Sequence, residues 1–180
     1  MVARVSVLLL CLCVAACGEI QRVDTSQLPP GFYGLLTDND TGAINEASWA
    51  LASPDRTRGN PVEALRAAVA VEYLAGELST APRWAAMSPI TKIQMLQARA
   101  EMRRALGVKL DAPSQVVVNA EIWALWDLER GDVAAAQQVL AGPISTQPPQ
   151  QTLQVLNDLP TLPAARSATA AAELEQFRDG

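Results

Sequence analysis

The chain contains no histidine at all, and aromatic residues make up only 4% of its 180 positions. Without histidine, Ser-His-Asp and Cys-His catalysis, HExxH zinc sites and bis-histidine haem sites are excluded. No glycine-rich phosphate loop of the form GxGxxG or GxxxxGK[ST] occurs either. We therefore expect no nucleotide partner, no cofactor and no metal.

Cysteine is also scarce, and all three cysteines lie within the first seventeen residues, at Cys11, Cys13 and Cys17. Cys13 and Cys17 are separated by three residues, whereas redox and zinc pairs use two. A c-type haem site would need a histidine after its second cysteine. The cysteines therefore predict neither a metal site nor a redox site.

The N-terminus has the layout of a secretory signal peptide. Arg4 precedes the apolar run "VSVLLLCLCV", which is too short for a membrane span of about 20 residues. The next residues complete "VAAC" at 14–17, which resembles the lipobox of bacterial lipoproteins. The resemblance implies cleavage of a signal peptide at 1–16, lipidation of Cys17 through a thioether, and acylation of the new N-terminus.

The same resemblance implies a location. Two or three acyl chains would hold the protein durably, because each buried methylene adds about 0.8 kcal/mol. In lipoproteins an aspartate after the cysteine favours retention at the inner membrane, and here the residue is Gly18. The resemblance thus implies export to the outer membrane, facing the periplasm, with the inner membrane as the open alternative.

The formal net charge is −5. A mildly acidic chain of this kind argues against nucleic acid or an anionic lipid surface as a partner. The membrane contact that we expect is therefore made through the acyl chains.

Beyond the leader, residues 17–59 are predicted to be the lipidated N-terminus, a tether and an irregular segment, with a short helical pattern in "INEASWALA". Residues 60–180 are predicted to form an α-helical domain, because cap residues and glycines punctuate successive apolar runs. Helices are expected to begin at Asn60-Pro61, Ser88-Pro89, about Pro113, and Asp132. No strand-like alternation is sustained. The predicted fold is all-α, a small helical bundle or an array of helical hairpins, with the helix from Pro113 at its centre.

The stretch "LERGDVAAAQQVL" resembles the turn and second helix of a tetratricopeptide repeat. Gly131-Asp132 matches the turn, Ala136 the small packing position and Leu140 the larger residue after it. Trp123 and Ala124 match a large-small pair in the first helix. No second copy follows at a period of 34 residues, although a solenoid needs about three. A generic helical hairpin therefore remains the favoured interpretation.

Two glutamates, Glu72 and Glu121, fall on apolar faces of predicted helices. Buried carboxyl groups can act as an acid/base pair, which would cleave glycans without histidine. The favoured alternative is that neither residue is catalytic, and that each pairs with an arginine or sits at a helix edge in water. Lys92, Arg99 and Arg103 form a basic stripe that is suited to such ion pairs or, less favourably, to an anion.

Tryptophans are the other candidates for function. Trp126, near the polar side of its helix, and Trp84, in a link between helices, are predicted to contact a partner. Trp123 is predicted to be buried. Asp38, Asp40 and Glu46 echo a calcium loop, but the spacing fails the EF-hand pattern, so we expect a turn there rather than a metal site.

These observations favour a non-catalytic helical interaction or assembly module, anchored by lipid and bound to a protein partner in the bacterial envelope. One alternative is a histidine-free glycan-cleaving enzyme that uses Glu72 and Glu121. Another is a carrier of an apolar ligand between alanine-rich helices, which would contain an elongated cavity.

Overall fold

The structure is a computed structural model that describes residues 23–176. The predicted signal peptide at 1–16, the lipobox, Cys17 and Gly18 lie outside the described residues.

Seven α-helices make up most of the described chain, which confirms the predicted all-α bundle. They are α1 Asn39–Leu51, α2 Pro61–Thr80, α3 Pro89–Leu106, α4 Ser114–Glu129, α5 Val133–Leu140, α6 Pro149–Asn157 and α7 Pro163–Gln176. Short 3-10 turns lie at Pro54–Arg56 and Pro82–Trp84. Within residues 23–176 there is no strand, only an isolated bridge between Val108 and Ser145.

Local signals set the ends of most helices. The side chain of Asn60 accepts a hydrogen bond from the backbone N–H of Glu63 at 3.2 Å, and Ser88 and Asp132 cap α3 and α5 in the same way. Such caps satisfy backbone donors that the first helical turn leaves unpaired. Gly107 ends α3 with a φ of 66°, the left-handed conformation that glycine adopts without strain.

The centre of the bundle is α2, not the helix from Pro113 as predicted. All residues of α2 from 64 to 76 except Arg66 are buried, and α1, α3, α4 and α6 pack around them. Alanines at many of these positions allow the neighbouring helices to approach closely. By contrast, α4 leaves Val116 and Trp123 exposed on one side. The sequence of α4 is apolar almost all round, but its outer face has no covering helix among the described residues.

The segment at 17–59 is less irregular than predicted, because the short helical pattern in "INEASWALA" belongs to a longer helix, α1, that begins at Asn39. Ala43, Ile44 and Ala47 of this helix are fully buried against the bundle. Gly42 interrupts the helical pattern in the sequence. Glycine is required at this position, because a Cβ there would overlap the Cβ of Tyr33. The helical body therefore begins at Asn39 rather than at Asn60.

Residues 23–28, which we call the N-terminal strap, cross α2 and reach the start of α4. At the crossing, a Cβ on Gly76 would lie 2.7 Å from the carbonyl oxygen of Asp24. The backbone N–H of Gln27 donates to Oε1 of Gln115 at 2.7 Å, and Nε2 of Gln115 donates back to the carbonyl of Gln27 at 3.2 Å. The strap is thus a packed part of the body, not a free tether.

The helices α4 and α5 form a hairpin around Gly131, whose φ is 77°. Ala136 is fully buried at their contact, at the position where the tetratricopeptide resemblance places a small residue. None of the helices within residues 23–176 is both long enough and apolar enough to cross a membrane.

Candidate functional site

A buried ion pair in the bundle core joins Glu72 of α2 to Arg103 of α3. Nε and Nη2 of Arg103 donate to the two carboxylate oxygens of Glu72 at 2.9 Å and 2.6 Å. Glu72 is only 2% exposed. This two-point geometry is the strong form of a charge-assisted hydrogen bond, and it leaves Glu72 with no free carboxylate oxygen to act as a base.

Arg103 also fixes the loop between α3 and α4. Its Nη1 donates to the carbonyl oxygens of Leu110 and Ala112, both at 2.8 Å. Burial acts to lower the pKa of Arg103, but the hydrogen bonds and charge of Glu72 outweigh it, so the pKa is raised overall. The pair therefore locks two helices and a loop together.

The residues of the predicted basic stripe, Lys92, Arg99 and Arg103, lie in different environments. Arg99 is half-buried and donates through Nη1 to the carbonyl of Asp24 at 2.9 Å and to Oγ of Ser114 at 2.8 Å. Burial lowers its pKa, although Glu72, 3.9 Å away, acts in the opposite direction. Lys92 is not among the ion pairs of residues 23–176. An ion-pair role is thus confirmed for Arg103, and in part for Arg99.

An open groove of about 400 Å³ lies beside these arginines, where the strap begins. Val23, Leu96 and Leu110 supply apolar surface to it. Its charged lining mixes both signs, since Asp24 and Asp111 accompany the two arginines. That mixture gives no clear preference for an anion.

Glu121 of α4 is 4% exposed, and its Oε2 has no hydrogen-bond partner among the described residues. Burial raises its pKa well above the ordinary value, the negative charge of Glu72 raises it further, and Arg103 opposes them weakly. The carboxyl of Glu121 is therefore harder to ionise than that of an exposed glutamate. Glu72 has the arginine partner that we predicted, whereas Glu121 has neither an arginine partner nor a place at a helix edge in water.

The two glutamates influence each other electrostatically, as a catalytic pair would. However, an acid/base pair must reach the glycosidic oxygen and a water or sugar carbon. Here Arg103 holds both oxygens of Glu72, and neither glutamate is accessible to a glycan. This geometry does not support glycan cleavage by Glu72 and Glu121.

Trp84 is not a contact residue, because it is buried with only 4% of its surface exposed. Its Nε1 donates to Oδ2 of Asp40 at 2.9 Å, and the guanidinium of Arg83 lies 4.8 Å from its ring centroid. Asp40 also accepts a hydrogen bond from the hydroxyl of Tyr73. The indole therefore fills the core between α1 and α2, and its polar edge is satisfied internally.

This Asp40 network was missed in the sequence, where we had expected only a turn. Its one sequence signal is that Asp40 precedes Ile44 and Ala47 by helical spacings, which puts all three on one face. Asp38, by contrast, caps α1 through the N–H of Thr41 at 3.0 Å. Within residues 23–176, no cluster of three or more acidic side chains is arranged to hold a metal.

Glu46 of α1 is a second unusual carboxyl that the sequence did not single out beyond the calcium-like pattern. Burial raises its pKa to about 8, and the nearby Glu63 carboxyl adds to the shift while Arg66 opposes it. The Glu46 side chain is only partly exposed, and its Oε1 is buried with no hydrogen-bond partner among the described residues.

The prediction for Trp123 is wrong, since 56% of its side chain is exposed. It meets Trp126 edge to face, with ring centroids 5.2 Å apart. Trp126 itself packs partly on Val69 and Val118 of the core. Together with the exposed Val116, the two rings form an apolar surface on α4, which we call the α4 patch.

No family model, curated protein or solved structure matches the chain. The function of the chain must therefore be inferred from its residues and their geometry.

Proposed function

We propose that this protein is a lipid-anchored envelope lipoprotein whose helical body is a non-catalytic interaction module. In this proposal Cys17 carries the acyl chains, the membrane is the outer membrane, and the body faces the periplasm. The α4 patch binds a protein partner. Glycan cleavage is the weaker alternative, because Arg103 occupies Glu72 and both glutamates are buried.

The α4 patch is the observation that carries the proposal. Large exposed aromatic residues are enriched where proteins bind one another, because each buries much apolar surface at little entropic cost. Trp126 supports the edge of Trp123 and is itself held by the core. The ring pair is thus a rigid feature that a partner could bury without first ordering it.

The test of the patch is site-specific photocrosslinking in cells, with the crosslinker in place of Trp123 or of Trp49. Trp49 is a matched control, because it is 48% exposed but lies on α1. We expect an adduct of defined mass at position 123 that is absent at position 49 and is weakened by Trp126→Ala. Adducts at both positions, or at neither, would count against a binding role for the patch.

The anchor is tested separately by fractionation. We expect the unaltered chain in the membrane fraction and the Cys17→Ser variant outside it, because the variant has no sulfur to form a thioether. Mass spectrometry of the N-terminal peptide checks cleavage before Cys17. If the two forms fractionate alike, the lipoprotein part of the proposal is wrong, while the α4 patch can still be judged by crosslinking.

A further inference from the structure

Exposed aliphatic side chains gather at the end of the bundle where α2 stops and α3 begins. Ile90 and Ile93, one helical turn apart on α3, are 68% and 56% exposed. Residues 84–91, which lead into this helix, include no charged residue, and Ala85 and Ala86 among them are exposed. The chain therefore enters α3 with an apolar outer surface.

The turn before α1 brings two leucines to the same end of the bundle. Leu35 and Leu36 are almost completely exposed. Two residues later, Asp38 accepts a hydrogen bond from Nη1 of Arg83 at 2.7 Å. Arg83 lies three residues after the end of α2 and seven before Ile90. This ion pair therefore places the two leucines close to the start of α3.

The end of α7 adds a fifth aliphatic side chain, Leu174, which is 72% exposed. The neighbouring Glu175 accepts hydrogen bonds from the backbone N–H of Ser88 at 2.7 Å and from Oγ1 of Thr91 at 2.5 Å. These bonds fix the end of α7 against the first turn of α3. We call the five exposed residues together the aliphatic end: Leu35, Leu36, Ile90, Ile93 and Leu174.

The aliphatic end lies beside the point where the chain leads towards Cys17. Ile93 is three positions before Leu96 and shares its side of α3. Leu96 lines the open groove together with Val23. Five residues lie between Cys17 and Val23, so an acylated Cys17 would keep Val23 within about 20 Å of the membrane surface.

From this placement we propose that the aliphatic end inserts into the acyl-chain region of the membrane that holds the anchor. The helical body then makes a second membrane contact, beside the acyl chains on Cys17. The inference rests on the lipid anchor of the proposed function and is independent of the α4 patch. Insertion removes five apolar side chains from water, which is favourable wherever acyl chains lie within reach.

Lipid fits this surface better than a protein partner does. All five side chains are aliphatic, whereas protein interfaces are enriched in aromatic residues and arginine. They also come from three separate elements, and acyl chains need no matching shape. The charges nearby do not oppose insertion. Asp38 and Arg83 neutralise each other, and the long stem of Lys92 allows its ammonium group to reach the headgroups.

The test measures depth in the bilayer by fluorescence quenching. The lipidated chain, with an environment-sensitive dye on Leu36→Cys, Ile90→Cys or Val133→Cys, is reconstituted into phosphatidylcholine vesicles with brominated acyl chains. Val133 is the matched control, because it is aliphatic and 49% exposed but belongs to α5. We expect blue-shifted emission and quenching at positions 36 and 90 but not at 133. Salt at about 1 M should leave this pattern unchanged, because the contact is apolar.

A further variant tests whether the turn and α3 insert together. Leu35→Glu combined with Leu36→Glu should abolish quenching at position 90, whereas Val133→Glu should not change it. Because both leucines are almost completely exposed, the fold should survive the double substitution, which circular dichroism checks. Quenching at position 90 that persists in the double variant would contradict a joint membrane surface.

The outcomes separate this inference from the anchor. Flotation of the chain with the vesicles, but without quenching at positions 36 and 90, would overturn the inference and leave the anchor intact. A chain that does not float with the vesicles has no anchor, and the inference is then wrong as well. A blue shift without quenching would mean that protein rather than lipid covers the aliphatic end, which also overturns the inference.

Discussion

At the scale of single residues, the pH dependence of stability reports on Glu121. Burial raises its pKa in the folded state, while the unfolded chain ionises near pH 4.3. Between these values the folded state binds more protons, so the free energy of unfolding falls as pH rises, by up to about 1.4 kcal/mol per pH unit. We expect Glu121→Gln to flatten this decline in urea denaturation from pH 5 to 8.

Glu46 provides the comparison for that experiment. Its pKa in the folded state is also raised, to about 8. The free energy of unfolding therefore falls as pH rises from about 4.5 towards 8. Its partial exposure makes the contribution smaller, because solvent screens it. Glu46→Gln should therefore flatten the profile less than Glu121→Gln does. Superimposable profiles for the unaltered protein and Glu121→Gln would show that the fold does not raise the pKa of Glu121.

Arg103 gives the second prediction at this scale. Arg103→Met leaves the Glu72 carboxylate buried without its cation, which should cost about 3–5 kcal/mol of unfolding free energy. Glu72→Met combined with Arg103→Met removes both charges and should recover part of the loss. The recovery should be incomplete, because the carbonyls of Leu110 and Ala112 still lack their donor. Denaturant titration measures all three, and a double variant no more stable than Arg103→Met would contradict this account.

At the scale of elements, the strap and α2 meet at Gly76. Alanine favours a helix interior over glycine by about 1 kcal/mol, yet a Cβ at this position would lie 2.7 Å from the carbonyl of Asp24. We therefore expect Gly76→Ala to destabilise the protein and to make residues 23–28 sensitive to protease. In a chain that lacks the strap, the same substitution should be stabilising. A stabilised full-length Gly76→Ala would mean that the strap does not pack on α2.

The elements also show what the sequence can predict. Asn60, Ser88, Gly107 and Asp132 act within one helical turn, so their helix ends could be predicted from local pattern alone. The burial of Trp84 depends on Asp40, which lies 44 positions away. The exposure of Trp123 depends on the absence of a covering helix among residues 23–176. Neither fact has a local signal, which is why both tryptophan predictions were wrong.

In the candidate site, too, some features could be predicted from the sequence and others could not. Helical periodicity placed Glu72 and Glu121 on apolar faces, and both are buried. Which of them meets an arginine depends on how α2, α3 and α4 are aligned along their axes. A shift of one turn, about 5.4 Å, would change the partner. The ion pair of Glu72 and the unpaired oxygen of Glu121 therefore could not be assigned before the packing was known.

At the scale of the whole molecule, the strap sets the orientation of the body towards the membrane if Cys17 is acylated as proposed. Five residues lie between Cys17 and Val23, so the six steps from one to the other allow a span of about 20 Å at most. The strap crosses α2 at Gly76, close to Thr80, whereas Arg58 precedes the opposite end of this helix. About 20 helical residues lie between those ends, or about 30 Å.

We therefore predict that the Thr80 end of α2 faces the bilayer. A single dye at Thr80→Cys or at Arg58→Cys can be compared in vesicles with an acceptor in the lipid headgroups, since both positions are exposed and acylated Cys17 offers no free thiol. Energy transfer should be stronger from position 80. A Gly/Ser insertion of about 20 residues between Arg22 and Val23 is the control, because a longer flexible tether should lower transfer from position 80 and reduce the difference. Equal transfer from both positions without the insertion would mean that the packed strap does not orient the body.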